Sequence, residues 1–77
     1  MFSVYIYFMN IAFCKKLKDL RAEHEVSQAA MAKAIGTYQQ TIARWEKGIT
    51  EPDTEMLAKI CLFFNVSADY LIGLENK

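Results

Sequence analysis

Several residue types that mark other classes of protein are scarce in this chain. Its 77 residues include only one proline, three glycines, two cysteines and one histidine. So little proline and glycine argues against long disordered segments. Cys14 and Cys61 form no Cys-x-x-Cys pair, and His24 stands alone among charged residues. We therefore expect reduced, buried thiols in a cytoplasmic protein, with no metal site and no cofactor.

Charged side chains are absent from residues 1–14. As a helix, residues 1–13 would measure about 20 Å, which is short of the ~30 Å hydrocarbon core of a membrane. No basic residue precedes this apolar run and no small-residue cleavage site follows it, so a secretory signal is not expected. The sequence predicts no membrane partner.

The N-terminal residues 1–9 are expected to form an apolar arm. Residues 3–8 are mostly β-branched or aromatic, which predicts a β-strand with Val4, Ile6 and Phe8 on one face. Because a lone strand leaves its backbone groups unpaired, we expect these three residues to pair with a second copy of the chain. Two alternatives stay open: the arm packs on the core, or Met9 is the natural start.

The charge of the chain sums to zero but is unevenly distributed. Residues 15–47 carry seven basic and four acidic side chains, whereas residues 48–77 carry two basic and five acidic ones. A positive half beside a negative half can orient a molecule on a polyanion, although ordinary solvated charge gives the same pattern.

Residues 10–77 are expected to form a domain of five short helices. Phe13, Leu17 and Leu20 recur at helical spacing, which predicts a first helix over residues 11–23 with Asn10 as its cap. A second helix is predicted from Gln28 to about Ile35. The signals for its two ends are Ser27 as the N-cap and Gly36 as a left-handed stop.

Similar signals delimit the other three predicted helices. The third opens at Thr37, with Gln40 placed for a capping box, and ends at Gly48. The fourth follows Asp53, and the fifth follows Ser67 and closes at Gly73.

The second and third predicted helices, joined by a tight turn, form the most informative unit. If Ile42 and Trp45 point inward, then Gln39, Gln40 and Arg44 face outward. A glutamine amide matches the donor and acceptor of adenine, and an arginine matches the two acceptors of guanine. We expect these three residues to contact bases. Alternatively, Gln40 is a capping partner and Arg44 contacts phosphate.

Residues 13–73 resemble the Cro/cI-type helix-turn-helix domain, which has the lambda-repressor-like fold. The stretch from Ile35 to Gln40 is especially similar to lambdoid phage repressors that begin this helix with paired glutamines. The matching positions are Arg21, Ser27, Gln28, Met31, Ala32, Ile35, Gly36, Ile42, Trp45, Glu46, Gly48, Pro52, Leu57, Val66, Ser67 and Leu71. Two positions depart from the family pattern. Glu25 replaces a usual glycine, which predicts a differently shaped turn, and no basic residue directly follows Gly48.

The resemblance also implies roles for residues around the base-reading face. Gln28 corresponds to a phosphate contact, and Arg21 and Glu46 correspond to a structural salt bridge. Further candidate backbone contacts are Tyr38, Thr41 and Lys47. Tyr38 is alternatively a cover for the second helix, and Lys47 is alternatively a solvated helix end.

The sequence therefore predicts a bacterial or phage transcriptional regulator, in particular a repressor, that binds a palindromic operator in double-stranded DNA as a homodimer. The fifth helix is the rival dimer surface to the arm. A protein-binding module such as an antitoxin or anti-repressor is the alternative function. No nucleophile–base pair, metal cluster or phosphate loop indicates an enzyme, and the chain has no room for a separate effector domain, so no small-molecule effector is expected.

Overall fold

Helices make up most of the backbone. The computed structural model describes the backbone of residues 2–74 and the side chains of residues 10–74. Its elements are α1 (Phe2–Glu23), α2 (Gln28–Ile35), α3 (Gln39–Lys47), α4 (Thr54–Phe64) and α5 (Ala68–Leu71). The all-α prediction with five helices is confirmed.

Three helices begin where their capping residues predict. Ser27 Oγ accepts a hydrogen bond from the Ala30 N–H at 3.0 Å. Asp53 Oδ1 accepts one from Met56 at 2.9 Å, and Ser67 Oγ accepts one from Tyr70 at 3.0 Å. Each cap satisfies one of the N–H groups that the first turn of a helix leaves without an intrahelical partner.

The predicted strand over Val4 to Phe8 is wrong, because α1 already begins at Phe2 and runs without a break to Glu23. Asn10 lies inside this helix and does not cap it. Extending an existing helix adds one hydrogen bond for each residue fixed, whereas a strand needs a partner for its backbone. Continuity with the helix therefore outweighs the modest β propensity of these side chains.

The predicted start of the third helix is also wrong. Thr37 is used to close α2, because both the Gly36 and Thr37 N–H groups donate to the Ala32 carbonyl, at 2.9 and 2.8 Å. The N-cap of α3 is Tyr38, which makes no side-chain capping bond. Gln40 is then one position too early for a capping box, so its side chain is not held at the helix end.

All five helices meet in one hydrophobic core. Each contributes one fully buried large side chain, and these are Leu17, Met31, Ile42, Ile60 and Leu71. Around them lie Phe13, Leu20, Ala32, Ile35, Trp45 and Phe64. The core thus fixes α2 and α3 against α1, α4 and α5.

The turn between α1 and α2 has the left-handed shape that a glycine would give it. Glu25 adopts φ +53°, which is uncommon for a residue with a side chain. The Val26 N–H donates to the Arg21 carbonyl at 3.0 Å, and Arg21 Nη1 donates to the Val26 carbonyl at 3.0 Å. These bonds hold the turn in this conformation although no glycine is present.

Candidate nucleic-acid interface

Helix α3 has one buried and one exposed side. Ile42 and Trp45 are buried in the core and anchor the helix. Gln39, Gln40 and Arg44 are exposed on the other side. Buried anchors on one side of a short helix fix which side chains the other side presents, so α3 offers two amides and a guanidinium to an external partner.

Arg21 of α1 and Glu46 of α3 are joined by a bidentate salt bridge. Arg21 donates through Nε to Glu46 Oε2 and through Nη2 to Oε1, the latter at 2.9 Å. Glu46 is only 6% exposed, and it is the one buried charged residue among those described. The two parallel hydrogen bonds fix the direction of α3 relative to α1.

This pairing shifts the pKa of both groups. Burial by itself would raise the pKa of the Glu46 carboxyl, but hydrogen bonds from Arg21 and Gln28 outweigh it, so the pKa lies below its usual value. The hydrogen bond to Glu46 likewise raises the pKa of Arg21. Both groups are therefore charged at neutral pH.

Gln28 extends the salt bridge into a chain of hydrogen bonds that ends on the exposed side of α3. Its Nε2 donates to Glu46 Oε1 at 3.0 Å, and its Oε1 accepts from Gln39 Nε2 at 3.0 Å. Gln39 keeps its own carbonyl oxygen and one N–H free of these bonds. That pair of groups is what bidentate recognition of adenine uses.

The position of Gln28 also favours an anion. It is the first residue of α2, where the helix dipole is positive and where Ser27 satisfies only the Ala30 N–H. One N–H of its side-chain amide remains after the bond to Glu46. A phosphate oxygen at this helix end would find donors from both the backbone and the side chain.

The other predicted backbone contacts lie around the two ends of α3. Tyr38 is 79% exposed at the start of the helix, so it does not cover α2. Thr41 is half-buried, and Lys47 is exposed in the last turn. The structure thus groups Gln28 and Tyr38 near the N-terminal end of α3 and Lys47 at its C-terminal end.

Two basic residues beside this surface were not assigned a role from the sequence. Lys15 and Lys18 of α1 line the same cleft as Lys47. The cleft depends on how α1 crosses the end of α3, and no local pattern in the sequence reports that crossing.

The residues predicted to form the dimer lie in the N-terminal part of α1. Val4, Ile6 and Phe8 have a helical backbone, but their side chains lie outside the described residues. Within the described residues, no helix combines the length and apolar character needed to cross a bilayer. In the same part of the chain, no cluster of His, Cys, Asp or Glu could hold a metal ion.

Known proteins are similar to this chain in sequence and in fold. A family model described as helix-turn-helix matches residues 17–71. An uncharacterized HTH-type transcriptional regulator of Methanocaldococcus jannaschii is 41% identical over 61 residues, which cover 79% of this chain and 92% of the relative. The antitoxin PezA of Streptococcus pneumoniae is 34% identical over 59 residues, or 77% of this chain and 37% of the antitoxin.

Among solved structures, the c2 repressor of phage P22 in complex with a synthetic operator superimposes with a TM-score of 0.77 at 28% identity. The superposition covers 82% of this chain and 96% of that one. In addition to PezA, two further curated relatives are matched over 49% and 55% of their own length. The chain therefore spans about half or less of the length of several curated relatives. Its family is nevertheless plain from the matched model and relatives: the chain belongs to the helix-turn-helix family, of the Cro/cI type.

Proposed function

We propose that this protein is a transcriptional regulator that binds specific sequences of double-stranded DNA by placing α3 in the major groove. The observation that carries the proposal is the exposed row of Gln39, Gln40 and Arg44 on a helix anchored by Trp45 and the Arg21–Glu46 salt bridge. A helix fits the major groove, where each base pair presents a distinct pattern of donors and acceptors. The operator complex of the c2 repressor supports the same use of this fold.

Three side chains carry sequence recognition in this proposal. Gln39 reads adenine through the carbonyl and the N–H that its bond to Gln28 leaves free. Gln40 is exposed and has no capping role, which favours its assignment to a base. Arg44 offers two parallel donors to guanine. Each correct pair contributes about 1–3 kcal/mol of discrimination.

The sugar-phosphate backbone is held by groups at both ends of α3. Gln28 and the first N–H groups of α2 bind one phosphate, and Tyr38 and Thr41 contact the strand beside them. Lys47 supplies a point charge at the far end. These contacts set the register of the helix but carry no base preference.

A homodimer on a palindromic operator completes the proposal. Two copies related by a two-fold axis would present their α3 helices about 34 Å apart, one turn of DNA. Occupying the operator would block transcription, so we propose a repressor, acting in the cytoplasm without a small-molecule effector. The described residues provide a binding surface for DNA, and we propose no enzymatic activity.

Selection of bound sites from a random DNA pool tests this function. We expect a palindromic consensus for the wild type and a relaxed preference at one position of each half-site for Gln39→Ala and Arg44→Ala, with a loss of about 1–3 kcal/mol each. Lys47→Ala is the matched control, since it should weaken all sequences alike. Equal losses on selected and random DNA for Gln39→Ala would contradict direct reading of a base.

A protein-binding role is the second candidate, because the similar PezA is named as an antitoxin. Its sequence match covers the helix-turn-helix unit and not the remaining length of that protein. Salt-dependent binding to DNA fragments separates the two functions. A chain that binds no DNA at low salt but captures a protein partner would replace the repressor proposal.

A further inference from the structure

A basic cleft lies where α1 passes the C-terminal end of α3. It has a volume of about 560 Å³, and its lining includes Lys15, Lys18 and Lys47 together with Cys14 and Gly48. All three lysines are exposed. The cleft therefore brings cations from two helices to one concave surface.

The walls of the cleft are fixed relative to the base-reading side of α3. The Cys14 thiol donates a hydrogen bond to the Trp45 carbonyl at 3.1 Å, and a Cβ at Gly48 would lie 3.5 Å from Cys14 Sγ. Lys15 follows Cys14 directly, and Lys18 comes one helical turn later. Both lysines thus stand on a backbone packed against the end of α3.

No lysine of the cleft forms a salt bridge within the described part of the chain, although Lys18 interacts electrostatically with Glu46, which is already paired with Arg21. Among the described residues, the salt bridges join Arg21 to Glu46 and Lys59 to Glu55. Neither involves a lysine of the cleft. Three like charges around one concavity repel one another and raise the local positive potential, an arrangement that an anion relieves.

We propose that this cleft binds neighbouring phosphates of the DNA backbone beside the major groove, so that α1 is part of the DNA interface. The inference rests on the proposed function and extends it to Lys15 and Lys18. Lys47 lies one turn beyond Arg44 on the exposed side of α3, so the cleft continues the base-reading row outward.

The contact made by the cleft is electrostatic and independent of sequence. The Gly48 and Ile49 N–H groups donate to the Trp45 and Arg44 carbonyls, so these two amides are not offered to an anion. The phosphates are held by ammonium groups alone, which act as flexible point charges. Such contacts strengthen binding to every DNA sequence and add to its salt dependence.

The test compares two double variants. Each removes two positive charges, one variant from the proposed site and the other from a different cleft. The first double variant, Lys15→Gln with Lys18→Gln, removes both α1 cations from the proposed site. Lys33→Gln with Lys59→Gln is the matched control, because Lys33 and Lys59 line another cleft between α2 and α4. All four side chains lie at least partly in solvent, and thermal unfolding verifies that both variants fold.

The measurement is the slope of log affinity against log salt for one DNA duplex. Losing two phosphate contacts should reduce the steepness of the slope by about 2. The advantage of the wild type over the Lys15/Lys18 variant should then shrink roughly tenfold between about 50 and about 200 mM salt. Base preference should not change, and the control variant should keep nearly the wild-type slope.

Each contrary result has a distinct meaning. Equal slopes for the two double variants would overturn the inference while leaving the proposed function intact. A wild type with no salt-dependent DNA binding would overturn the proposed function and the inference with it. Saturable binding of inorganic phosphate, seen as shifts of the Cys14 and Gly48 amide resonances, with an unchanged DNA slope would assign the cleft to a free anion and overturn its assignment to DNA.

Discussion

At the scale of single residues, Gln28 couples the structural and the base-reading parts of the surface. Its amide nitrogen donates to the buried Glu46, and its amide oxygen accepts from the exposed Gln39. A free glutamine loses rotamer freedom when it binds a base, which costs free energy. Gln39 has already lost part of that freedom, because its amide donates a hydrogen bond to Gln28, and Gln28 is itself fixed by its bond to Glu46.

A double-mutant cycle between Gln28 and Gln39 measures this coupling. We expect Gln28→Ala to weaken discrimination at the base read by Gln39, and the double variant to lose less than the sum of the two single losses. The expected coupling is about 0.5–1.5 kcal/mol, the net value of one hydrogen bond. Quantitative binding to operator duplexes with single base changes provides the data.

The control for that cycle pairs Gln28→Ala with Gln40→Ala. No hydrogen bond joins Gln40 to Gln28 in the described structure, so their losses should add. Additive losses for Gln28 and Gln39 as well would show that the hydrogen bond does not orient the base-reading amide.

Glu46 makes the stability of the fold depend on pH. Its folded pKa lies below that of an unfolded glutamate, which is about 4.3. The carboxylate therefore contributes its full stability above this value and loses it as the pH falls through the lower folded pKa. Glu46→Gln should cost about 1–3 kcal/mol at pH 7, because it leaves the Arg21 guanidinium without its counter-ion.

Urea unfolding of the wild type and Glu46→Gln across the acidic range checks this expectation. The difference in the free energy of unfolding should be constant above about pH 5 and should shrink below about pH 4. A difference that stays constant down to the lowest accessible pH would contradict the role of the charged carboxylate.

At the scale of elements, the turn from α1 to α2 has a backbone conformation that costs free energy. Glu25 adopts the left-handed conformation, which glycine enters without the clash of a Cβ. The turn is retained because Arg21 hydrogen-bonds to both the N–H and the carbonyl of Val26 and because α2 is anchored in the core. Tertiary contacts here impose a backbone conformation that the local residue disfavours.

Glu25→Gly should therefore stabilise the protein by about 0.5–1 kcal/mol. Glu23→Gly is the matched control, since Glu23 is the last residue of α1 and a glycine there should destabilise. Thermal unfolding of both variants measures whether each substitution raises or lowers the stability of the protein. A destabilising Glu25→Gly would mean that the glutamate side chain makes a contact that offsets its backbone strain.

At the scale of the whole molecule, the core is small and part of the apolar surface is not buried in it. One fully buried large side chain from each helix forms the centre of the core. Residues 1–8 carry no charge and continue α1 as helix from Phe2. Domains of this size have modest stability, so pairing of two copies would add burial that a single chain lacks.

Deleting residues 1–8 should convert a dimer into a monomer if this segment forms the subunit contact. Sedimentation equilibrium of the truncated and full chains measures the mass directly. Leu74→Asp is the comparison for the rival surface, because Leu74 is exposed just after α5. A dimer that survives the deletion and dissociates with Leu74→Asp would assign the contact to α5.

Local chemistry in the sequence was enough to predict much of the fold. The caps Ser27, Asp53 and Ser67 and the left-handed stop at Gly36 were identified correctly, because each acts through hydrogen bonds or dihedral angles within a few residues. Helical spacing predicted the buried Ile42 and Trp45 for the same reason. The start of α3 was predicted wrongly, because the Thr37 N–H group takes part in closing α2.

The sequence by itself determined the family, the number of helices and the identity of the side chains that α3 exposes. Only the tertiary structure decided that residues 2–9 continue α1, that Gln28 bonds to both Glu46 and Gln39, and that Lys15 and Lys18 share a cleft with Lys47. The reason is physical. Caps and periodicity act within one element, whereas these three features depend on helix continuity and on the crossing of separate helices around a common core.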